Sequence, residues 1–131
     1  MVDYKFNAII INLMVEYKKD KILSELLKCV SDCTRRSLLT KLCQQGPSRV
    51  TDLAKYYDMS LNAVSKHIKI LEKAHLITRK NVGRIHWIEA NLENFSIVEE
   101  WFTQLQSIWQ MRLDKLTEII NMNIIKEKHN E

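Results

Sequence analysis

The sequence predicts a mainly α-helical domain that carries one β-hairpin. The 131-residue chain contains only two glycines and one proline, which leaves little material for turns between many strands. Apolar residues recur every three or four positions through most of the chain, as in amphipathic helices. After Leu76 this period changes to two, around a single glycine, which is the pattern of a hairpin. The length suits one domain, and 46% hydrophobic with 27% charged residues is an ordinary globular composition.

The first 20 residues form a predicted N-terminal extension whose role the sequence leaves open. The apolar run 8–15 is too short to span a bilayer, and it lacks the basic leader and cleavage site of a signal peptide. We therefore expect a cytoplasmic protein without a membrane partner. The extension is either an additional helix that packs in a dimer or a segment before the true start, because Met14 is also a plausible initiator.

The helical period becomes regular at Lys21 and predicts two helices. Asp32 has the side chain of an N-cap for the second helix, Thr34–Gln45, which Gly46 and Pro47 end. The apolar positions of the first helix are Ile22, Leu23, Leu26, Leu27 and Val30. Those of the second are Leu38, Leu39 and Leu42. These two helices begin the predicted core, which extends over residues 21–93.

A short helix, a four-residue turn and a longer helix follow. The third helix covers about 51–57, and Ser60 is predicted to cap a fourth helix that continues to about Ala74. The buried stripe of the fourth helix consists of Val64, Ile68 and Leu71. Two predicted strands, Ile77–Lys80 and Ile85–Ala90, then flank a turn in which Gly83 is available for positive φ.

The last predicted element is one long helix over residues 94–125. Its apolar stripe is wider than a small domain can cover, which favours packing against a second copy of the chain. Packing in a dimer core is also the preferred interpretation of its two tryptophans, over a ligand cage. The candidate interface residues on this helix are Trp101, Leu105, Trp109 and Leu116.

Positive charge is concentrated in one segment. The formal net charge is +4, and residues 49–89 hold eight Lys or Arg against four Asp or Glu, so the whole surplus lies there. Such a segment between neutral flanks is typical of a surface that binds a polyanion. A helix, a turn, a second helix and a hairpin in this order have the layout of a winged helix-turn-helix.

This layout predicts double-stranded DNA as the partner. The outward residues of the fourth helix offer an amide for adenine, a hydroxyl, and ammonium groups for guanine or phosphate. His67 lies at the edge of the apolar stripe, where packing with a phosphate contact is preferred over base reading. The predicted DNA-binding residues are Ser60, Leu61, Asn62, Ser65, Lys66, His67, Lys69, Lys80 and Arg84, the last two on the hairpin.

Three stretches, TRRSLLTKL, VTDLAKYYDMSLNAVSKHIKILEKAHLI and GRIHWIE, resemble the ArsR family of bacterial winged-helix repressors. The Trp-rich segment EEWFTQLQSIWQMRLDKL resembles its metal-free autorepressor branch. The resemblance covers residues 21–120 and implies a homodimer on an inverted-repeat operator, with the fourth helix in the major groove. It implies an interface of first and last helices, which adds Leu23 and Leu27. Where the family commonly has glycine after the fourth helix, this chain has His75, which tolerates left-handed geometry.

Metal sites of the family are not matched by this sequence. In metal-sensing members a cysteine cluster precedes the turn, and the matching positions here are Arg49, Thr51 and Ala54, which do not bind soft metals. The family's other metal site needs histidines and acids on the last helix, and residues 94–125 contain no histidine. We therefore expect no metal and no other cofactor.

Two alternatives remain open from the sequence. Cys29, Cys33 and Cys43 form no disulfide framework, but Cys33 lies in the first turn of a helix, so a redox or metal sensor with the same fold is conceivable. A winged helix can also dock a partner protein, although such a module has no general need for cations. No arrangement of catalytic residues supports an enzyme, and no small-molecule substrate is predicted.

Overall fold

A computed structural model describes residues 4–130 as five α-helices and a three-stranded sheet. The helices are α1 (Tyr4–Cys29), α2 (Cys33–Gln45), α3 (Val50–Ala54), α4 (Leu61–Lys73) and α5 (Ser96–His129). The strands are β1 (Ser48–Arg49), β2 (Ile77–Val82) and β3 (Ile85–Ala90). The predicted fold class, mainly helical with a small hairpin, is confirmed. The chain divides into two compact units, the first ending at Val98 and the second beginning at Glu99.

Helix α1 is longer than the sequence predicted. One continuous helix from Tyr4 to Cys29 contains most of the predicted extension 1–20 together with the helix expected to begin at Lys21. Residues 1–3 of that extension lie outside the described part of the chain. The helix is uninterrupted because no glycine or proline occurs within it. Only Leu26 and Cys29 of α1 are buried, so its N-terminal half does not contribute to the core.

The hydrophobic core of the first unit lies where α1 ends and α2, α4 and the sheet meet. All three residues predicted for the buried stripe of α4 are fully buried, and Leu38 and Leu42 of α2 join them. The other core residues are Leu26, Cys29, Leu53, Leu76, Ile77 and Ile88. Burying a side chain of this size stabilises the fold by about 1.5–3 kcal/mol, so this cluster fixes α4 on its apolar side.

Both predicted N-caps are present. The Asp32 carboxylate accepts a hydrogen bond from the backbone N–H of Arg35 at 3.0 Å. The Ser60 hydroxyl accepts one from the backbone N–H of Ala63 at 3.2 Å. The positive φ expected just after α4 is found at His75, where φ is 60°. Helix α3 is shorter than the predicted 51–57, because residues after Ala54 continue in tight turns rather than a helix.

The sheet contains a strand that the sequence did not predict. Its order is β1-β3-β2, and all pairs are antiparallel. Strand β1 has only two residues, too few for a periodicity, and pairs Ser48 with Ile88. The hairpin closes with Val82 opposite Ile85, so the turn is Gly83 and Arg84. Gly83 has φ 63°, the geometry that glycine adopts without strain at the first position of such a turn.

The second unit is the part of α5 that begins at Glu99. A 3₁₀ turn, Glu93–Phe95, precedes α5, which therefore starts later and ends later than the predicted 94–125. None of the side chains of α5 is buried. The predicted interface residues Trp101, Leu105, Trp109 and Leu116 are 38–61% exposed. Among residues 4–130, no helix has the length and apolar character needed to cross a membrane.

Candidate nucleic-acid interface

Helix α4 presents one face to the core and the opposite face to solvent. Val64, Ile68 and Leu71 are each 0% exposed and hold the inner face. Successive residues of an α-helix are rotated by about 100°. The residues that project opposite the buried stripe are therefore Asn62, Lys66, Lys69 and Lys73. An amide and three ammonium groups consequently point in one direction, away from the core.

An open concave surface of about 540 Å³ lies between α4 and the hairpin. Five of the predicted DNA-binding residues line it: Leu61, Asn62, Ser65, Lys69 and Arg84. Four polar residues that the sequence analysis did not select line it as well: Arg49, Thr51, Arg79 and His86. The structure thus places the N-terminal half of α4, the start of α3 and the tip of the hairpin around one groove.

The remaining predicted residues lie in different places. Lys66 and Lys80 are exposed but do not line the concave surface. Ser60 caps α4 with its hydroxyl, which ties that hydroxyl to the backbone of the helix. His67 is half-buried and its side chain faces α2, where its Nδ1 atom is 3.7 Å from the Asp32 carboxylate. Of the nine predicted residues, His67 is therefore the one whose side chain is directed into the protein.

Within the described part of the chain, the cations near this groove fall into two groups. Arg49 pairs with Asp52 at 3.1 Å, and Arg79 pairs with Glu72 at 3.2 Å. The other group has no ion-pair partner among residues 4–130 and consists of Lys66, Lys69, Lys80 and Arg84. The charges of this second group are available to an external anion such as a DNA phosphate.

The paired arginines hold the parts of the groove together. The pair of Arg79 and Glu72 joins strand β2 to α4, with both side chains partly exposed. Arg49 lies over the ring of Trp87, 6.0 Å from its centroid, and so joins the start of α3 to β3. The Nδ1–H group of His86 donates a hydrogen bond across the hairpin to Oδ1 of Asn81 at 2.6 Å. These contacts fix the hairpin relative to the two helices.

The sequence alone could not place the four additional residues, Arg49, Thr51, Arg79 and His86, in the groove. Arg49 and Arg79 belong to the positive surplus of residues 49–89, but their ion pairs depend on side chains brought together by the fold. Strand β1, which sets the position of Arg49, has no sequence signal of its own. The period of two in β3 predicted a strand, but not which of its residues line a groove.

The cysteines are distributed over different environments. Cys29 is 2% exposed, whereas Cys33 and Cys43 are exposed, and all three are free thiols. Burial raises the pKa of the Cys29 thiol, and the nearby Arg35 guanidinium opposes that increase only in part. A thiol with a raised pKa is a poor nucleophile and a poor metal ligand at neutral pH. No group of three metal-ligating side chains occurs among the residues that the structure describes.

The fold and the groove define the class of the protein. Two helices joined by a turn, with a hairpin beside the second, constitute a winged helix-turn-helix, a fold typical of DNA-binding proteins.

Comparison with known proteins gives the family. Residues 32–79 match the family described as "Bacterial regulatory protein, arsR family". An arsenical resistance operon repressor of Bacillus subtilis (strain 168) is 33% identical over 81 residues, which are 56% of this chain and 77% of that protein. The transcriptional repressor SdpR of the same organism is 29% identical over 69 residues, 53% of this chain and 76% of SdpR.

The crystal structure of an ArsR-family transcriptional regulator agrees with the fold. Its TM-score is 0.65 at 34% identity, and the match covers 70% of this chain and 93% of the other. The chain belongs to the ArsR family of bacterial transcriptional regulators. Such regulators act by binding double-stranded DNA, and the family is not a class of enzymes.

Proposed function

We propose that this protein is a homodimeric transcriptional repressor that binds an inverted-repeat operator through α4 and the hairpin. The observation that carries the proposal is a group of cations without ion-pair partners among residues 4–130. Lys69 and Arg84 line a groove that also contains Asn62, and Lys66 projects from the same outward face of α4. An arrangement of this kind can hold phosphates and read base edges at once. Two of the related proteins are named as repressors, which supports repression as the outcome of binding.

The two parts of the groove have different roles in this proposal. Asn62 and Lys66 lie on the outward face of α4, where an amide pairs with adenine and an ammonium group with guanine. Arg84 lies at the exposed tip of the hairpin, next to the only residue of the turn with positive φ. From this position its guanidinium contacts a phosphate or the minor groove, which positions the protein without reading sequence.

A second copy of the chain completes the proposed DNA-binding unit. Helix α5 exposes a long run of large apolar side chains, from Trp101 to Ile125, and such a surface is unusual for a monomer. A two-fold symmetric dimer presents two copies of α4 about one turn of DNA apart, roughly 34 Å, each in a major groove. The operator is then an inverted repeat because the protein has the same symmetry.

Selection of bound DNA from a random pool tests the proposal most directly. The expected result is enrichment of a palindromic site whose two halves are centred about one helical turn apart. Enrichment of a non-repeated site contradicts the dimeric arrangement. Failure to enrich any sequence, with DNA bound only non-specifically, contradicts the assignment of α4 as the reading helix.

Single substitutions separate the two kinds of contact. Asn62→Ala or Lys66→Ala should cost about 1–3 kcal/mol on the selected operator and relax the preference at particular base pairs. Arg84→Ala should weaken binding to operator and scrambled duplexes alike, and should reduce the salt slope by roughly one unit per subunit. Lys128→Ala, near the end of α5, removes an equal charge far along the chain and is the matched control. Unchanged operator affinity in the two α4 variants contradicts the proposal.

A further inference from the structure

A polar cluster joins α4 to the corner between α1 and α2. It consists of Asp32, Arg35 and His67. Arg35 Nη1 is 3.3 Å from His67 Nδ1, and Asp32 Oδ2 is 3.7 Å from the same ring nitrogen. These are side-chain contacts between residues more than thirty positions apart, so they exist only when α4 is docked in one orientation.

Arg35 also closes the end of α1. Its Nε–H donates to the carbonyl of Cys29 at 2.6 Å, and its Nη2 donates to the carbonyl of Lys28 at 3.3 Å. The last carbonyls of a helix lack partners within the helix, and a cation at that end is favourable. One guanidinium group therefore contacts the end of α1 and a side chain of α4 at the same time.

The geometry assigns the donor and the acceptor of this hydrogen bond. An arginine side chain has only donors, so the Nδ1 atom of His67 accepts the hydrogen bond from Arg35, and the ring proton is on Nε2 in this contact. This ring is 22% exposed and is rotated about 100° from the outward Lys66, so it is not directed toward bound DNA.

We propose that His67 and Arg35 are positioning residues that set the rotation of α4 about its axis and thereby determine operator specificity. The proposal rests on the proposed function, in which α4 reads DNA. The apolar contacts of Val64, Ile68 and Leu71 hold the helix to the core, but such contacts are not directional. The hydrogen bond from Arg35, which is itself bonded to the end of α1, is directional. It therefore fixes the rotation of α4 and aligns Asn62 and Lys66 with the base edges.

Two substitutions of His67 test the proposal. His67→Asn keeps an acceptor near the position of Nδ1, whereas His67→Phe fills the space without an acceptor. The measured quantity is the ratio of dissociation constants on scrambled and operator duplexes, because charges elsewhere on the DNA-binding surface act on both. Lys66→Ala is measured in parallel, and the unfolding of each variant is followed by circular dichroism.

At pH 7.5, His67→Asn should retain a ratio within about twofold of the wild type, and His67→Phe should lose roughly tenfold, the equivalent of one charge-assisted hydrogen bond. An unchanged ratio in His67→Phe, or a loss in His67→Asn as large as in His67→Phe, overturns the proposal.

The control variant separates two kinds of failure. If Lys66→Ala lowers the ratio and the His67 variants do not, the positioning role is wrong and the reading helix stands. If neither Lys66→Ala nor the His67 variants change the ratio of dissociation constants, the proposed function itself fails. Should His67→Phe not fold, nitrogen-detected NMR of the wild type decides the question. At pH 7.5 it should show an Nε2–H tautomer at His67, and an Nδ1–H tautomer overturns the proposal.

Discussion

At the scale of single residues, the N-caps and the thiols could be predicted from sequence, but the partners of the charged side chains could not. Asp32 and Ser60 each accept a hydrogen bond from a backbone N–H three residues later. Such a cap involves only neighbouring residues, so the sequence can indicate it. The pair of Arg79 and Glu72 depends on the docking of β2 against α4, which no local pattern reports. The spacing of α4 placed His67 at the edge of the apolar stripe, but its contacts with Arg35 and Asp32 are visible only in the structure.

The cap at Asp32 makes the stability of the fold depend on pH. The hydrogen bond from the backbone N–H of Arg35 is the main cause that lowers the pKa of this carboxyl below its ordinary 3.8. The ionised form is therefore favoured by folding, and its contribution is present above about pH 4 and disappears as the pH falls through the lowered value. Asp32→Asn keeps a cap acceptor without a charge. Urea unfolding from pH 6 to 2 should show the wild type losing stability relative to Asp32→Asn only in acid, and a constant difference contradicts this.

The cap at Ser60 should be measurable without DNA. Ser60→Ala removes the acceptor for the Ala63 N–H and should lower the free energy of unfolding by about 1 kcal/mol, whereas Ser60→Thr should restore most of it. Equilibrium urea unfolding of the free protein measures both variants. Equal stability of Ser60→Ala and the wild type would show that the cap contributes nothing.

The thiols should differ in reactivity. Iodoacetamide at neutral pH should label Cys33 and Cys43 and leave Cys29 unmodified until the protein unfolds, as measured by mass spectrometry. The variant in which all three are serine should bind the operator with nearly wild-type affinity. The sensor alternative would be favoured if oxidation or added zinc abolished DNA binding by the wild type but not by a variant that lacks Cys29 and Cys33.

At the scale of elements, α4 was predicted almost to its ends, and α1 was not. The buried stripe of α4, its cap and the left-handed residue after it are all local features that agree with one another. Apolar residues surround most of the N-terminal half of helix α1, so its sequence carries little helical periodicity. The sequence signal that remains is the absence of glycine and proline. It predicts an uninterrupted helix but not the surface against which the helix packs.

The residue after α4 gives a test at this scale. His75 has φ 60°, a region that costs a β-branched residue about 1–2 kcal/mol and costs glycine nothing. His75→Val should therefore destabilise the fold by roughly that amount, and His75→Gly should leave it nearly unchanged or more stable. Thermal unfolding followed by circular dichroism compares the two, and a Val variant as stable as the Gly variant contradicts the argument.

At the scale of the whole molecule, the exposed apolar surface is the feature that a single chain does not explain. Helix α5 buries none of its side chains, and α1 exposes Ile9, Ile11 and Leu13 by more than half. The wide apolar stripe on the last helix was evident from its sequence spacing. How two copies would cover it depends on the symmetry of an assembly, which one sequence does not specify.

Disruption of the proposed interface should change the oligomeric state. Each buried side chain of this type contributes about 1.5–3 kcal/mol, so Leu105→Asp or Trp109→Asp should yield monomers or insoluble protein. Ser107→Asp, on the opposite side of α5, introduces the same charge and should leave a dimer. Sedimentation velocity distinguishes these results, and a soluble double variant, Leu105→Asp with Trp109→Asp, that remains fully dimeric contradicts the proposed interface.

The short strand β1 has a consequence for motion in the hairpin. It pairs only with Trp87 and Ile88, so the base of the hairpin belongs to a three-stranded sheet and its tip is a two-stranded ribbon. Isolated ribbons of two strands are marginally stable in water. Amide hydrogens near Ile88 should therefore exchange with solvent only when the domain unfolds, and those near Arg84 through local opening. Arg84 is thus carried on the segment of the hairpin that can adapt to the width of a DNA groove.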